Sequence, residues 1–107
     1  MKTTPLTKLL RVLERLRAVH SEFPAQAAHA LLIIADAGAI TLTHLSEEVG
    51  LTIGAVSRNV GRLADDHNGV KGMGFITVEL APGSYRQKVA TLTAKGERFL
   101  ADLLGGL

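Results

Sequence analysis

Cysteine is absent from the sequence, and aromatic residues make up only 4% of it. Without cysteine there are no disulfides, no thiol redox sensing, no thiolate nucleophile and no cysteine-ligated zinc. The excess of positive over negative charge is also small, because 12 Lys and Arg residues against 10 Asp and Glu residues leave a net charge of +2. A surface for nucleic acid would therefore depend on where the cations are placed rather than on a basic tail.

Long apolar runs are missing as well. No stretch approaches the ~20 residues that cross a bilayer, and the leucines near the start alternate with charged residues, unlike a signal peptide. We therefore expect a cytoplasmic protein with no membrane partner. A length of 107 residues with 47% hydrophobic content fits one ordered domain. A small chain with this much apolar content often buries part of its surface against a second copy of itself.

Arrangements for metal or catalytic chemistry are not found either. The four histidines show no metal-ligand spacing. The glycine-rich residues 64–74, predicted to be a loop, have neither P-loop nor dinucleotide-binding spacing. No carboxylate pair or Ser-His-Asp order marks a catalytic cleft. We predict no enzyme, no cofactor and no metal.

Two short helices joined by a sharp corner are predicted within residues 41–65. Gly50 can adopt the left-handed conformation that ends the first helix, and Thr52 can cap the second. Apolar residues recur at helical spacing on both sides of this corner. These inward-facing positions are Leu42, Leu45 and Val49, followed by Val56, Val60 and Leu63.

The second helix, called the reader helix below, leaves small, hydroxyl and arginine side chains on its outer face. Such a face can approach DNA closely and donate hydrogen bonds, as the second helix of a helix-turn-helix does. Arg58 is the best candidate for reading a base, because arginine bidentate to guanine is the commonest specific contact. The alternative is an ordinary helix pair with solvated arginines. The outer face carries Gly54, Ser57, Arg58, Gly61 and Arg62, with Asn59 at its flank, and the predicted DNA-binding residues of this segment are Thr52, Gly54, Ser57, Arg58, Asn59 and Arg62.

A hairpin is predicted over residues 75–93. The hydrophobic period changes to two at residues 75–80, which indicates a half-buried strand with Leu80 inward. Pro82-Gly83 suits the centre of a type II turn before the return strand. A hairpin directly after a helix-turn-helix is typical of a winged helix, and a basic residue on its tip can reach phosphates or the minor groove. The alternative is a hairpin that only closes the core. The predicted DNA contacts of this wing are Arg86 and Lys88.

Helices at the two ends of the sequence are predicted to form a dimer contact. Residues 6–22 carry two overlapping apolar stripes, which together are wider than one contact within a small domain requires. Residues 94–104 form a short helix with two adjacent pairs of apolar residues. The alternatives for the first helix are a place in the core and, less favoured, a membrane surface.

These features together resemble the MarR-type winged-helix transcriptional regulators over roughly residues 25–104. The local matches are LSEEVGLT at residues 45–52, VSR at 56–58 with RL at 62–63, and LTAKG at 92–96, which is similar to the family's L-T-x-x-G. The resemblance implies a homodimer that binds palindromic duplex DNA, with the reader helix in the major groove and the wing arginine at the minor groove.

The sequence departs from the family in three places. Ser84-Tyr85-Arg86 stands where the family's wing carries Asp-x-Arg, so the arginine is kept without its aspartate. Asp65, Asp66 and the glycine-rich loop lengthen the connection to the wing. The chain is also shorter, with little from which to build the ligand pocket common in the family, so we expect no small-molecule ligand.

The sequence thus predicts a single winged-helix domain over residues 1–107, mainly α with a small β-hairpin. It would contain five helices and a two- or three-stranded wing sheet. We expect a homodimeric, sequence-specific regulator of transcription, a repressor acting by steric exclusion on double-stranded DNA in the nucleoid. The alternative is a winged helix used for protein–protein contact, in a replication or phage assembly, with weak or no DNA binding.

Overall fold

The computed structural model describes residues 4–64, 66–67 and 70–105. Within them, five helices and five short strands follow one another. The helices are α1 (Pro5–Val19), α2 (Ala25–Ala37), α3 (Leu42–Val49), α4 (Ile53–Leu63) and α5 (Ala94–Leu104). The strands are β1 (Ala39–Thr41), β2 (Asp66–His67), β3 (Val70–Lys71), β4 (Ile76–Leu80) and β5 (Lys88–Leu92).

Threonine caps the N-terminus of every helix except α2. In each case the side-chain oxygen accepts a hydrogen bond from a backbone N–H in the first turn, which satisfies a donor that the helix itself leaves unpaired. The caps are Thr4, Thr41, Thr52 and Thr93. The sequence places threonine at the start of these four periodic segments, so their N-terminal boundaries follow from local chemistry.

The first helix is shorter than the predicted residues 6–22, because it ends at Val19. His20 has an extended backbone with φ −150°, and its carbonyl accepts a hydrogen bond from the Phe23 N–H at 3.0 Å. The chain therefore turns before Pro24, which disfavours helical geometry in the residue before it.

Three strands form one antiparallel sheet in the order β1-β5-β4. Ala90 of β5 lies between Ile40 of β1 and Val78 of β4 in the register of the sheet. The predicted two- or three-stranded wing sheet is therefore three-stranded, and its additional strand comes from the residues just before α3. Because β1 pairs with β5, both ends of the segment that contains α3 and α4 are attached to the same sheet.

The prediction that residues 64–74 form only a loop is wrong at two places. β2 and β3 pair antiparallel, with Asp66 opposite Lys71 and His67 opposite Val70. A glycine-rich composition is compatible with both a loop and a tight hairpin. Composition alone therefore does not predict that these four residues pair. Asp65, which the sequence analysis assigned to a lengthened connection, lies outside the described residues.

The core lies between α2, α3, α4, α5 and the sheet. Helix α2 is its centre, because Ala27, Leu31 and Ile34 each have 0% exposure. Aliphatic side chains from the reader helix, α4, complete the contact with α2. The largest fully buried side chains are Leu31, Ile34, Leu45, Val56, Leu63, Ile76 and Leu103.

The start of α5 is joined to the base of the wing by several contacts. The Thr93 hydroxyl donates to the Gly74 carbonyl at 2.6 Å, and the Thr93 N–H donates to the Phe75 carbonyl at 2.9 Å. Gly96 lies so close to the same backbone that a Cβ there would stand 2.0 Å from the Phe75 oxygen. The Phe75 and Phe99 rings stack with centroids 4.4 Å apart. We call this group the wing-base joint: Gly74, Phe75, Thr93, Gly96 and Phe99.

Helix α1 is packed much less than the others. Leu16 is buried, whereas the preceding turns expose large aliphatic side chains. Arg15 ties the helix to the end of α5, since its guanidinium donates to the Leu103 carbonyl at 3.2 Å and to the Gly105 carbonyl at 3.1 Å. The exposed residues are Leu6, Leu9, Leu10, Leu13 and Val19 on α1, with Leu104 on α5.

Candidate nucleic-acid interface

The corner before the reader helix is held by a small set of hydrogen bonds. Gly50 has φ +70°, and its N–H and that of Leu51 both donate to the Ser46 carbonyl, at 3.0 and 3.2 Å. The Ser46 hydroxyl in turn donates to the Leu51 carbonyl at 2.5 Å. Thr52 then accepts from the Ala55 N–H at 3.2 Å. The corner predicted from Gly50 and Thr52 is confirmed, and it fixes the direction in which α4 leaves α3.

The outer face of α4 is partly as the sequence predicts. Thr52, Gly54, Arg58 and Arg62 are exposed, and Ser57 is half-buried. Among the side chains that the structure describes, the only contact of a basic side chain with a carboxylate joins His44 Nε2 and Glu48 Oε1, at 3.2 Å. An arginine on such a face presents donors that can pair with phosphate or guanine oxygens.

Asn59 is not on that face, and its prediction as a DNA contact is corrected. The residue is 3% exposed. Its Nδ2 donates to the Ala55 carbonyl at 3.0 Å and to Gln26 Oε1 on α2 at 3.3 Å. A side chain enclosed between two helices and already bonded to them is not available to a base edge. The position of Asn59 at the flank of the helical wheel could not predict whether its side chain is exposed. The exposure of a flanking side chain depends on how closely the neighbouring helix approaches.

Gly61 is also buried rather than outward-facing. It lies where two grooves meet, one on each side of α4. It therefore does not belong to the exposed outer face on which the sequence placed it.

The smaller groove, of about 620 Å³, separates α4 from the wing. Ser57 lines it from the helix, and Lys88 lines it from β5. The structure therefore brings these two predicted contacts to one groove, although they are far apart in sequence. Glu79 of β4 shares the groove and gives it mixed charge.

The larger groove, of about 1220 Å³, lies on the other side of α4 against α1 and α5. Arg58 and Arg62 line it together with Lys95 and Arg98 of α5, two cations that sequence reasoning did not connect with the reader helix. Spacing alone could not have found them, because their approach depends on the docking of α5. The sequence predicts little from which to build a ligand pocket, whereas the described residues line this open groove; the absence of a ligand stays a prediction. The remaining lining residues of the groove are Val19, His20, Glu22, Pro24, Gly61, Gly72, Met73, Phe75, Phe99 and Asp102.

The tip of the wing is an ordered turn. The Ser84 N–H donates to the Ala81 carbonyl at 2.9 Å, and Gly83 has φ +76°, as the third residue of a type II turn requires. The Ser84 hydroxyl accepts from the N–H groups of Arg86 and Gln87, at 3.2 and 2.9 Å. Serine hydroxyls bond to backbone two and three residues ahead in this way. Ser84 thus orders the backbone at the position where the family's aspartate is missing, and sequence reasoning did not assign it this part.

The wing projects beyond the core. Arg86 is exposed in the turn, and Lys88 is exposed at the first position of β5. Tyr85 beside them is 84% exposed. Leu80, predicted to face inward, is 53% exposed, and it lines the groove that separates α4 from the wing. Arg86 lines neither groove, so it forms a separate cationic tip.

Two further features are absent from the described ranges. No helix there is long and apolar enough to span a membrane. Residues 4–64, 66–67 and 70–105 also hold no group of three or more His, Asp or Glu side chains placed to bind a metal ion.

The corner, the outward arginines and the three-stranded wing define a winged helix-turn-helix. Residues 30–67 match the family model described as winged helix-turn-helix DNA-binding. The MarR-type resemblance is confirmed in the fold, because solved MarR-family regulators superpose on most of the chain. No curated protein matches the chain significantly.

Three solved structures illustrate the similarity. RV1404 from Mycobacterium tuberculosis is 22% identical with a TM-score of 0.71, and the match covers 90% of this chain and 61% of that one. A mutant MarR from E. coli, complexed with operator DNA, is 22% identical with a TM-score of 0.63, covering 94% and 74%. Sco3205 from Streptomyces coelicolor, a MarR family transcriptional regulator in complex with DNA, is 19% identical with a TM-score of 0.66, covering 94% and 67%. The chain thus spans about three fifths of the length of RV1404.

Proposed function

We propose that this chain is a sequence-specific, double-stranded DNA-binding regulator of transcription that acts as a homodimer. The observation that carries the proposal is the pairing of an exposed arginine face on α4 with a cationic wing tip. The reader helix would enter the major groove, and the wing would lie over the adjacent backbone or minor groove. A protein held across a promoter in this way excludes polymerase, so we propose repression at the nucleoid.

The proposed roles differ between the two parts. Arg58 reads a base, since its exposed guanidinium lies near the middle of the outer face. Arg62, Arg86 and Lys88 contact phosphates, which position the protein without reading sequence. Gly54 permits close approach of the helix backbone, and Thr52 and Ser57 offer hydroxyl donors beside it.

The homodimer is supported by the unpaired aliphatic face of α1. Leu6, Leu9 and Leu13 are 75%, 57% and 50% exposed at helical spacing, and Leu104 of α5 is 46% exposed. Arg15 holds the two helices against each other, so this face is continuous across them. Apolar surface of this kind marks an interaction site, and a second copy presents the same surface by symmetry.

The DNA proposal is tested by fluorescence anisotropy with a duplex selected by the protein from a randomised library and with random duplex, across a salt series. We expect tighter binding to the selected duplex and a steep loss of affinity with salt. Arg58→Ala should weaken the selected duplex by roughly 5- to 150-fold and random duplex much less. Lys88→Ala should weaken both alike and lower the salt slope by about 1.

The control is Arg11→Ala, which removes the same charge from α1, outside the reader helix and the wing. It should leave unchanged both the ratio of affinities for the selected and random duplexes and the dependence of affinity on salt. Equal weakening of both duplexes by Arg58→Ala would assign that side chain to phosphate instead of a base.

The dimer proposal is tested by the mass in sedimentation equilibrium. The unaltered protein should be a dimer, and Leu9→Lys with Leu13→Lys should be a monomer with unchanged helix content. Leu80→Lys is the matched control, because this leucine is equally exposed but lies on the wing. A monomeric unaltered protein at high micromolar concentration would overturn the proposal.

A second candidate is a winged helix that contacts another protein. It is favoured by exposed acidic side chains beside the motif, at Glu47, Glu48 and Glu79, which would repel phosphates. Failure to bind any duplex at low salt would favour this candidate over the first.

The absence of a small-molecule ligand stays a prediction, and the groove of about 1220 Å³ is where it would fail. It is tested by thermal unfolding of the protein with a panel of small anions and neutral metabolites. No rise in Tm with any of them at millimolar concentration would support the prediction, since a ligand of the folded state raises Tm.

A further inference from the structure

The contact between α2 and the reader helix contains one buried polar side chain among aliphatic ones. Asn59 of α4 is 3% exposed and faces the first turns of α2. The neighbouring α2 side chains are Ala27, Ala30 and Leu31, all buried. Aliphatic contacts of this kind restrict the rotation of one helix against another through the shape of their packing, and a hydrogen bond adds a dependence on direction.

The Asn59 amide has a defined orientation. Its Nδ2 is within hydrogen-bond distance of two acceptors, the Ala55 carbonyl at 3.0 Å and Gln26 Oε1 at 3.3 Å. The backbone carbonyl can only accept, so a reversed amide would place oxygen against oxygen. Within the described residues Oδ1 has no hydrogen-bond partner and is buried. The side chain therefore contributes less to the stability of the fold than its burial suggests, because a buried acceptor without a partner is unfavourable.

Among the described side chains, the Asn59–Gln26 hydrogen bond is the only one that joins α2 to α4. A hydrogen bond weakens steeply with misalignment. It consequently selects one rotation of α4 about its axis out of those that the aliphatic contacts allow. A single buried asparagine specifies register between helices in the same manner in coiled coils.

We infer that Asn59, through Gln26, is a positioning residue that sets the rotation of the reader helix and hence its sequence specificity. The inference rests on the proposed DNA-binding function. Arg58 directly precedes Asn59 on the same helix, so any turn of α4 moves it. A turn of about 20° displaces a group at the helix's outer radius of about 5–6 Å by about 2 Å. That displacement breaks a bidentate contact with a base edge, whereas long cationic side chains still reach phosphates.

The test replaces each partner of the hydrogen bond. Asn59→Leu keeps the branching at Cγ and removes both polar atoms, so the unpaired acceptor is lost and the larger aliphatic side chain keeps the helix contact filled. We expect an unchanged or higher Tm. We expect the ratio of affinities for the library-selected and random duplexes to fall by at least about tenfold, as for one lost base contact, with affinity for random duplex preserved.

A pair of variants at Gln26 supplies the matched control. Gln26 is exposed, so its replacement does not endanger folding. Gln26→Met keeps the length of the side chain and removes the acceptor, and it should lower the affinity ratio. Gln26→Glu keeps an oxygen that accepts from Asn59 Nδ2, and it should retain the ratio. The Asn59 side-chain amide resonances should move in the NMR spectrum of Gln26→Met and exchange faster with water.

The outcomes separate the two proposals. A randomised library from which the unaltered protein selects no sequence overturns the proposed function, and the inference falls with it. An unaltered protein that discriminates, with Asn59→Leu and Gln26→Met discriminating equally well, overturns the inference alone. Equal weakening toward both duplexes together with a lower Tm would show that Asn59 only supports the fold, which also overturns it.

Discussion

Helices α1 and α2 are both rich in aliphatic residues, yet the chain buries them very differently. Helix α2 has Ala27, Leu31 and Ile34 at 0% exposure in the packed body, by which we mean α2 to α5 with the sheet β1-β5-β4. Helix α1 buries only Leu16 and exposes the leucines before it. The packed body is therefore complete without the outer part of α1. The exposed aliphatic residues of α1 are the ones that we assign to the proposed dimer contact.

The largest effect is expected in the packed body, from Gly96→Ala. A Cβ at this position would stand 2.0 Å from the Phe75 carbonyl oxygen, and backbone cannot move aside as a flexible side chain does. We expect a loss of at least about 4 kcal/mol, which only severe mechanisms reach. Urea unfolding followed by circular dichroism measures it. A loss below about 1 kcal/mol would show that α5 can shift away from the wing base.

The next largest effect is a difference in the stability lost when either of two leucines of α1 is replaced by alanine. Leu16→Ala should cost about 2–3 kcal/mol, because it leaves a cavity against the packed body. Leu13→Ala, at a position 50% exposed, should cost the monomer less than about 0.5 kcal/mol. Thermal unfolding at several protein concentrations measures both. We expect Leu13→Ala to act through the concentration dependence, and equal concentration-independent losses would remove the distinction between α1 and the packed body.

A smaller loss is expected from Thr93→Val in the wing-base joint. Valine keeps the shape of the side chain but cannot accept from the Gly96 N–H or donate to the Gly74 carbonyl. Loss of the cap and of a half-buried hydrogen bond should cost about 1–3 kcal/mol. Thr43→Val, on an exposed position of α3, is the control in urea unfolding. A cost no greater than that of the control would mean that the joint is held by the phenylalanine stack alone.

The smallest effect on stability, and one of opposite sign, is expected from Gly54→Ala on the outer face of α4. A Cβ there would meet only Thr52 Oγ1 at 4.0 Å. Alanine favours a helix over glycine by about 0.8–1 kcal/mol, so Tm should rise. Affinity for DNA should fall, because the methyl group keeps the helix backbone from the groove. Unchanged affinity would remove Gly54 from the proposed interface.

Much of the fold could be predicted because its signals are local. Thr52 as a cap, Gly50 as a left-handed corner and the Pro82-Gly83 turn each depend on a few adjacent residues, and all three have the expected geometry. The pairing of β1 with β5 could not be predicted in the same way. It joins Ile40 to Ala90, and three residues before a helix carry no periodic signal of their own.

The candidate site shows the same division. Arg58 and Arg62 are outward because polar residues of α4 recur away from its apolar stripe, and Arg86 is outward because it lies in an exposed turn. Asn59 could not be placed, since it lies at the edge of that stripe and only the approach of α2 covers it. The two cations of α5 beside the reader helix, Lys95 and Arg98, also depend on tertiary docking.

The pairing of β1 with β5 has a consequence for the order in which the chain folds. Its partners lie about fifty residues apart, and closing so long a loop carries an entropic cost that local contacts do not. The hairpin of β4 and β5 can form first, with only a short turn to close. Its second strand then serves as the template on which β1 pairs, and this step encloses α3 and α4. We therefore expect the reader helix to acquire its final orientation late in folding, after the wing.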